Sequence, residues 1–233
     1  MTDPAPGMSY ASLPGQVAAG LQSGLATARL GVSSHGGVTV RITSTNPDLV
    51  LVSPNASTVG SAFIDVAVAN GATDATFVVQ GVAGARGTAT ITASAPAFTS
   101  TQGNVNVVAP ALQIQSLGTT ISATAPSDAF QVVVGIADSF NNTVSQPQAV
   151  AAGSTLVATV TNSAGGVAQL VTSAGGAQSR TVTIAAGAST SAGTVAAGGI
   201  EFDPLAAGTT TVVATIPDVV STAAGSVTIV MRA

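Results

Sequence analysis

The chain has 233 residues, of which 46% are hydrophobic and only 6% are charged, and its formal net charge is −4. An average soluble domain carries about 25% charged residues, so the polar surface must come from Ser, Thr, Asn and Gln, and no basic patch exists for nucleic acid. No apolar run approaches the roughly 18–20 residues of a membrane-spanning helix, so membrane insertion is not expected.

The first thirty residues contain an N-terminal extension and the first strands. Residues 1–16 are predicted to lack a pairing partner, and they show no charged start followed by an apolar core, so no signal peptide is visible. Apolar side chains over residues 16–30 recur at a helical spacing, but Gly20 and Gly24 would each cost a helix about 1 kcal/mol. An opening pair of strands is therefore favoured, with residues 25–32 as one of them.

Period-two alternation dominates the remaining chain. Val38, Val40 and Ile42 alternate with polar residues, and the same pattern recurs over residues 88–93 and 209–216. One apolar face and one hydroxyl face are typical of half-buried antiparallel strands. Turn signals rich in Gly and Asn separate these short strands, which is the pattern of a β-sandwich.

Two stretches of the chain match each other about 120 residues apart. Residues 87–96 align with residues 208–217 at an offset of 121, and residues 38–43 align with residues 156–161 at an offset of 118. Because the offset drifts only slightly, the second copy needs just a few additional loop residues. A module used twice in tandem indicates a protein that extends over a distance or presents the same unit repeatedly, more than one built around a single reaction centre.

These copies predict two tandem domains. The boundary is placed in the proline-containing segment 108–111, directly after the last matched strand of the first copy. The first domain then covers residues 1–109, with its extension over about 1–16, and the second covers residues 110–233. Each is long enough to bury its own core. The predicted fold class is all-β, with two tandem antiparallel β-sandwiches.

The residues of both copies resemble a known family. An apolar and threonine-containing strand over residues 75–79 leads through a glycine turn into Gly-Thr-Ala-Thr-Ile-Thr-Ala at residues 87–93, which resembles the final strands of bacterial immunoglobulin-like domains. Residues 132–144 are similar to the invasin/intimin-type variant, with Asn141 where that family usually has glycine. The resemblance implies immunoglobulin-like sandwiches strung in arrays on large bacterial surface or secreted proteins, and it implies no shared active site.

Residues suited to catalysis are scarce. A reaction centre needs a nucleophile with a base, paired carboxylates or a metal. The single histidine, His35, lies in a turn rich in Ser and Gly, and no glycine-flanked serine elbow follows a strand, so a solvated loop histidine is expected. The chain has no cysteine, and Tyr10 alone does not make a platform for sugar stacking. We predict no enzyme activity, no catalytic residue and no cofactor.

Carboxylates are also few. A calcium site needs several oxygens that converge on one point. The closest acidic pair is Glu201 and Asp203, which together with Asp138 are the candidates for calcium between the domains. The competing interpretation is that Asp138, like Asp48 and Asp74, caps backbone amides in turns.

One carboxylate and four aromatic residues fall in or beside predicted strands. Asp65 lies within the strand over residues 63–68, where it faces either a sheet edge or the exposed side. Core packing is expected for the phenylalanines in or beside strands, namely Phe63, Phe77, Phe130 and Phe140.

Together these features favour a non-catalytic spacer or stalk of a bacterial cell-surface or secreted fibrous protein, located extracellularly. Its partners would be neighbouring domains of the same chain or identical subunits. The alternative is a subunit that assembles with identical subunits into an extracellular filament, sheath or surface layer. With so few Lys or Glu residues, the edge strands are poorly protected against pairing with another chain. Residues 1–16 would then add to the sheet of a neighbour. A third hypothesis is an adhesive or carbohydrate-binding module, although no aromatic platform supports a glycan ligand.

Overall fold

The computed structural model describes residues 5–233, so the first four residues of the predicted extension lie outside the described part of the chain. The described residues form β-strands joined by turns, with short 3₁₀ turns at Val195–Ala197 and Ala223–Gly225. The chain divides into two compact units. The first ends at Val108 and also includes residues 151–153, and the second comprises residues 109–150 and 154–233.

The first unit contains two sheets. Its strands are β1 (Met8–Ser12), β2 (Gln16–Ala18), β3 (Leu21–Leu30), β4 (Val38–Ser44), β5 (Val50–Ser53), β6 (Phe63–Val68), β7 (Asp74–Gly81), β8 (Gly87–Ser94) and β9 (Thr101–Val108). One sheet has the order β1-β3-β7-β5, and the other has the order β2-β9-β8-β4-β6. Most neighbours are antiparallel, but β2 runs parallel to β9.

The core of the first unit follows from the alternation in the sequence. Val40 and Ile42 of β4 are buried while Arg41 between them is exposed. Phe77 of β7 and Ile91 of β8 join the same apolar cluster. Because successive side chains of a strand point to opposite faces, one face of each sheet enters the core and the other meets water.

The N-terminal segment is part of this unit. Strand β1 pairs with β3, with Met8 opposite Leu30, and β2 pairs with β9, with Val17 opposite Val107. The prediction that residues 1–16 lack a pairing partner is therefore wrong for the strand residues among them that the structure describes. The strand interpretation of the next segment is confirmed, because residues 21–30 form β3 and no helix.

The second unit also contains two sheets. Its strands are β10 (Ala111–Gln115), β11 (Thr120–Ser122), β12 (Asp128–Ala137), β13 (Val144–Pro147), β14 (Ala149–Val150), β15 (Leu156–Asn162), β16 (Ala168–Thr172), β17 (Gly175–Ala177), β18 (Ser179–Ile184), β19 (Ile200–Pro204), β20 (Gly208–Thr215), β21 (Val220–Ser221) and β22 (Ser226–Arg232). One sheet has the order β17-β16-β19-β12-β10-β21, with β13 also paired to β12, and the other has the order β11-β22-β20-β15-β18.

The two units share a strand order. The sheet β11-β22-β20-β15-β18 corresponds position by position to β2-β9-β8-β4-β6, and β10-β12-β19-β16 corresponds to β1-β3-β7-β5. In the second unit Phe130, Phe202 and Ile229 are fully buried, from strands of both sheets. Along the described part of the chain, no helix has the length and apolar character needed to cross a membrane.

Candidate functional site

His35 connects two loops of the first unit. Its Nδ1 accepts a hydrogen bond from the N–H of Gly37 at 3.1 Å, so Nε2 carries the proton and donates it to the carbonyl of Ala72 at 2.9 Å. The Oδ1 of Asn70 accepts from the N–H groups of His35 and Gly36. Both ring nitrogens of His35 therefore bind backbone groups, and neither is directed at a serine.

Two carboxylates of the first unit form ion pairs across neighbouring strands. Arg41 lies directly opposite Asp65, and its guanidinium donates two hydrogen bonds of 2.8 Å to that carboxylate. Arg29 lies opposite Asp74 and donates bonds of 2.7 and 2.9 Å. These hydrogen bonds hold the pKa of each aspartate below its usual range. Because both pairs are exposed, they fix the strand register more than they stabilise the fold.

The prediction that Asp74 caps backbone amides in a turn is wrong. Asp74 binds Arg29 instead of backbone amides. In the turn that contains Asp48, the side chain of Asn46 accepts the bond, from the N–H of Asp48 at 3.2 Å. Sequence alone could not separate these roles, because the pairing of Asp74 depends on the register between β3 and β7.

Asp138 organises the loop after β12. Its Oδ1 accepts from the N–H groups of Phe140 at 3.0 Å and Asn142 at 2.9 Å, and its Oδ2 accepts from the N–H and the hydroxyl of Thr143. The bond from Asn142 is the main cause that lowers the pKa of this carboxyl. Asn141 adopts a left-handed conformation with φ of 56°, a region that non-glycine residues enter uncommonly and asparagine more often than most.

The Asp138 loop holds an aromatic side chain in solvent. Phe140 is 83% exposed. The loop is further fixed because the carbonyls of Asn141 and Asn142 accept hydrogen bonds from the N–H groups of Ala223 and Ala224.

The prediction of core packing is wrong for Phe140. It is also wrong for Phe63, which is 49% exposed and lies under the guanidinium of Arg41 at 4.5 Å. The other two phenylalanines with that expectation, Phe77 and Phe130, are fully buried.

The three candidate calcium ligands occupy two separate places in the second unit. Glu201 and Asp203 lie on β19, where Asp203 accepts from Gln169 at 2.7 Å and from Ser127 at 3.2 Å. Glu201 lies opposite Ala129 of β12. Asp138 follows Ala129 by nine residues, which span about 30 Å in an extended strand, so Glu201 and Asp138 lie far apart. Among residues 5–233, no group of three His, Cys, Asp or Glu side chains gathers where it could hold a metal ion.

Each unit also contains a parallel strand pair that joins its beginning to its end. In the first unit β2 runs parallel to β9, the last strand of that unit. The pair is closed at both ends by backbone bonds of 3.0 Å, from the N–H of Asn106 to the carbonyl of Gly15 and from the N–H of Ala19 to the carbonyl of Val108.

The second unit repeats this arrangement. Strand β11 runs parallel to β22, the last strand of the chain. The N–H of Val230 donates to the carbonyl of Thr119 at 2.9 Å, and the N–H of Ala123 donates to the carbonyl of Arg232 at 2.7 Å. We call these two parallel pairs, β2–β9 and β11–β22, the terminal clamps. Neither pair could be predicted from the sequence, because β2 and β11 have only three residues each, too few to establish an alternation.

No protein-family model and no curated protein sequence matches the chain. Among solved structures, the chain is similar to domains 5–6 of the S-layer protein SbsC, with 20% identity over 97% of this chain and 98% of that chain and a TM-score of 0.33. Its match to SbsC domains 4 and 5 has 25% identity and a TM-score of 0.31, and covers 46% of this chain and about half, 54%, of the other.

The chain is also similar to the Yersinia pseudotuberculosis adhesin InvE, with 14% identity over 97% of this chain and 59% of that chain and a TM-score of 0.31. All three TM-scores lie below 0.5, a level from which no function follows.

Proposed function

We propose that this chain is a non-catalytic structural module, a spacer or stalk in a bacterial cell-surface or secreted fibrous protein. The observation that carries the proposal is the terminal clamp found in each unit. The residues of a stalk must stay folded while tension acts between its two ends. Each clamp joins the second strand of its unit, next to the point where tension enters, to the last strand, where tension leaves.

The geometry of a terminal clamp resists tension because its strands are parallel. Force on the chain before β2 and after β9 pulls these neighbours in opposite directions along their own length. The backbone bonds between them are then loaded together in shear, whereas an antiparallel hairpin pulled from its open end loses its bonds one at a time. The same reasoning applies to β11 and β22.

The rest of the chain offers no covalent reinforcement. With neither cysteine nor lysine in the sequence, disulfides and Lys–Asn isopeptide bonds are impossible. Mechanical strength must therefore come from backbone ladders and packing. No buried side-chain N or O atom in the described residues lacks a hydrogen-bond partner, which is what a rigid module requires.

The non-catalytic part of the proposal is supported by how the titratable side chains are used. His35 binds two backbone groups, Asp65 and Asp74 bind arginines, and Asp138 binds the amides of its own loop. Each of these side chains holds a loop or a strand register.

The shared strand order supports two tandem immunoglobulin-like domains, with an approximate boundary at residues 109–110. The partners proposed are neighbouring domains of the same chain or identical subunits, outside the cell. The self-assembling alternative depends on one open sheet edge, that of Ser179–Ile184. A carbohydrate-binding role has less support, because the ring of Tyr10 is half-buried and packs 6.4 Å from that of Phe77.

The proposal is tested by pulling single molecules from their two ends. Ala123→Pro removes the N–H that donates to Arg232 and should lower the unfolding force of the second unit. Ala123→Gly keeps that N–H and is the matched control. The first unit, which is unchanged in both variants, is the reference within each trace.

We expect wild-type chains to show two unfolding events, one for each unit. In the proline variant the unfolding force of the second unit should fall, and that of the first unit should stay the same. Equal unfolding forces for the proline and glycine variants would contradict a role for the clamp in resisting tension.

A further inference from the structure

Two strands of equal length form open edges at the same place in the two units. Strands β6 and β18 are the outermost members of the corresponding sheets, and each pairs on one side only, with β4 and with β15. Within residues 5–233, no backbone hydrogen bond from another segment reaches the outer side of Ser179–Ile184. An open edge presents unpaired N–H and C=O groups that another strand can satisfy.

The sequence of β18 lacks most of the features that usually protect an edge, and Arg180 is its one charged residue. Its six residues pair with β15 in continuous register, without a bulge, and contain no proline or lysine. Ser179, Thr181 and Thr183 are exposed, while Val182 and Ile184 are buried. Residues with high β-propensity and a clean alternation favour pairing with a further strand.

A groove runs beside β18, and residues 172–174 and 190–198 line its other side. Two adjoining depressions of 330 and 580 Å³ follow the strand and share Gly198 as a lining residue. Their walls consist largely of small uncharged residues. The one charged side chain of β18 is directed elsewhere, because the guanidinium of Arg180 donates to the carbonyls of Gly175 at 2.9 Å and Ala174 at 3.1 Å.

The corresponding edge β6 is different. Asp65 lies in the middle of that strand, is exposed and is held in place by Arg41. Two β6 strands paired about a two-fold axis at Asp65 would bring two carboxylates together, and like charges directly opposite each other destabilise a strand pair. Of these two edges, β18 is the better suited to self-pairing, because its exposed face carries only the uncharged Ser179, Thr181 and Thr183.

We propose that β18 pairs antiparallel with β18 of a second copy of this chain, which joins two five-stranded sheets into one of ten strands. In a register centred on Thr181, that residue faces itself and Ser179 faces Thr183, so the hydroxyl face continues across the junction. Arg180 then faces Val182, and the two guanidinium groups stay apart. A slip by one residue would place hydroxyl groups on the buried side.

The pairing partner is a second copy because β18 is complementary to itself in this register. Contacts in which the same surface patch meets itself about a two-fold axis are also the commonest in homo-oligomers. The inference deepens the proposed function by naming the contact between identical subunits. It rests on that proposal for its biological setting and not for its geometry.

Sedimentation velocity of the full chain over a range of concentrations tests the pairing. We expect the wild-type mass to double as concentration rises. Thr181→Lys should raise the dimer dissociation constant about tenfold or more, because it places two ammonium groups opposite each other. Ala67→Lys, on the exposed face of β6, is the matched control and should leave the dimer unchanged.

A crosslink tests the register. The chain has no cysteine, so Thr181→Cys introduces one thiol at the two-fold axis, where opposite Cα atoms lie about 4.5–5.5 Å apart and a disulfide can form. We expect a covalent dimer on oxidation, and none from Ala67→Cys. A wild-type chain that stays monomeric, or a dimer that Ala67→Lys dissociates and Thr181→Lys does not, would overturn the inference. Neither result would bear on the unfolding force of single molecules, which tests the clamp separately.

Discussion

At alkaline pH, the stability of the first unit should depend on one phenol. Tyr10 is the only tyrosine, and the chain has no lysine and no cysteine, so no other side chain titrates between about pH 8 and pH 12. Its hydroxyl donates to the carbonyl of Ile91 at 2.9 Å, across from β1 to β8. Burial raises the pKa of Tyr10 well above its ordinary value of 10.0.

The sign and the size of the effect follow from proton binding. Above pH 10 the unfolded chain loses the phenolic proton while the folded chain keeps it, so stability is complete below pH 10 and falls as pH rises. The limiting slope is about 1.4 kcal/mol per pH unit. Because the unfolded phenol is only half ionised at pH 10, the loss between pH 10 and pH 11 is at most about 1 kcal/mol. Solvent screening of the half-buried ring reduces it further.

Urea unfolding of the wild type and of Tyr10→Phe, at about pH 8 and about pH 11, measures this loss. At the lower pH the variant should be about 1 kcal/mol less stable, because the Ile91 carbonyl loses its partner. At the higher pH the difference should shrink, since only the wild type is penalised. A parallel absorbance titration of the folded protein follows the tyrosinate directly.

Two results would refute this reasoning. Equal alkaline losses in the wild type and in Tyr10→Phe would show that another process destabilises the unit. A tyrosinate signal that rises at the ordinary pKa of 10 in the folded protein would show that the phenol is freely solvated, contrary to its contact with Ile91.

Two further predictions concern the second unit. Gly135→Ala should lower the free energy of unfolding, measured by thermal unfolding, by about 1–3 kcal/mol or more. The added Cβ would lie 2.1 Å from the carbonyl oxygen of Gln146 and 2.7 Å from the Cα of Pro147. Gly166→Ala, whose Cβ would have no atom within 4 Å, should change the stability little. Asp138→Asn should flatten the acid dependence of stability. The wild-type contribution is present above the ordinary aspartate pKa and is lost as pH falls through the lowered folded value, so unfolding at about pH 7 and about pH 3 should differ less in the variant.

Local alternation encoded much of the fold. The runs that begin at Val38 and Leu156 became β4 and β15, seven residues each and equivalent in the two strand orders. Gly20 and Gly24 correctly argued against a helix, and residues 21–30 form a strand. These features are readable because a half-buried strand needs only its own side chains to show which face is apolar.

Features that depend on contacts between residues distant in the chain could not be predicted from the sequence. Asp65 and Asp74 lie opposite their arginines only because β4 pairs with β6, and β3 with β7, in the observed registers. Phe63 has the same apolar character as Phe77, yet it is half-exposed because it lies on the outer face of β6 with Asp65, against the exposed Arg41. Which face of a strand turns outward is decided by packing against the other sheet, and an aromatic residue on the outer face carries no local mark of it.

By itself, then, the sequence determined an all-β chain with short alternating strands and with neither cysteine nor lysine to reinforce it. Tertiary structure alone decided that residues 8–18 pair with β3 and β9, that each unit closes with a terminal clamp, and that β18 is left open. The physical reason is that alternation records which side of a strand is buried, whereas pairing is selected by packing between segments up to about a hundred residues apart.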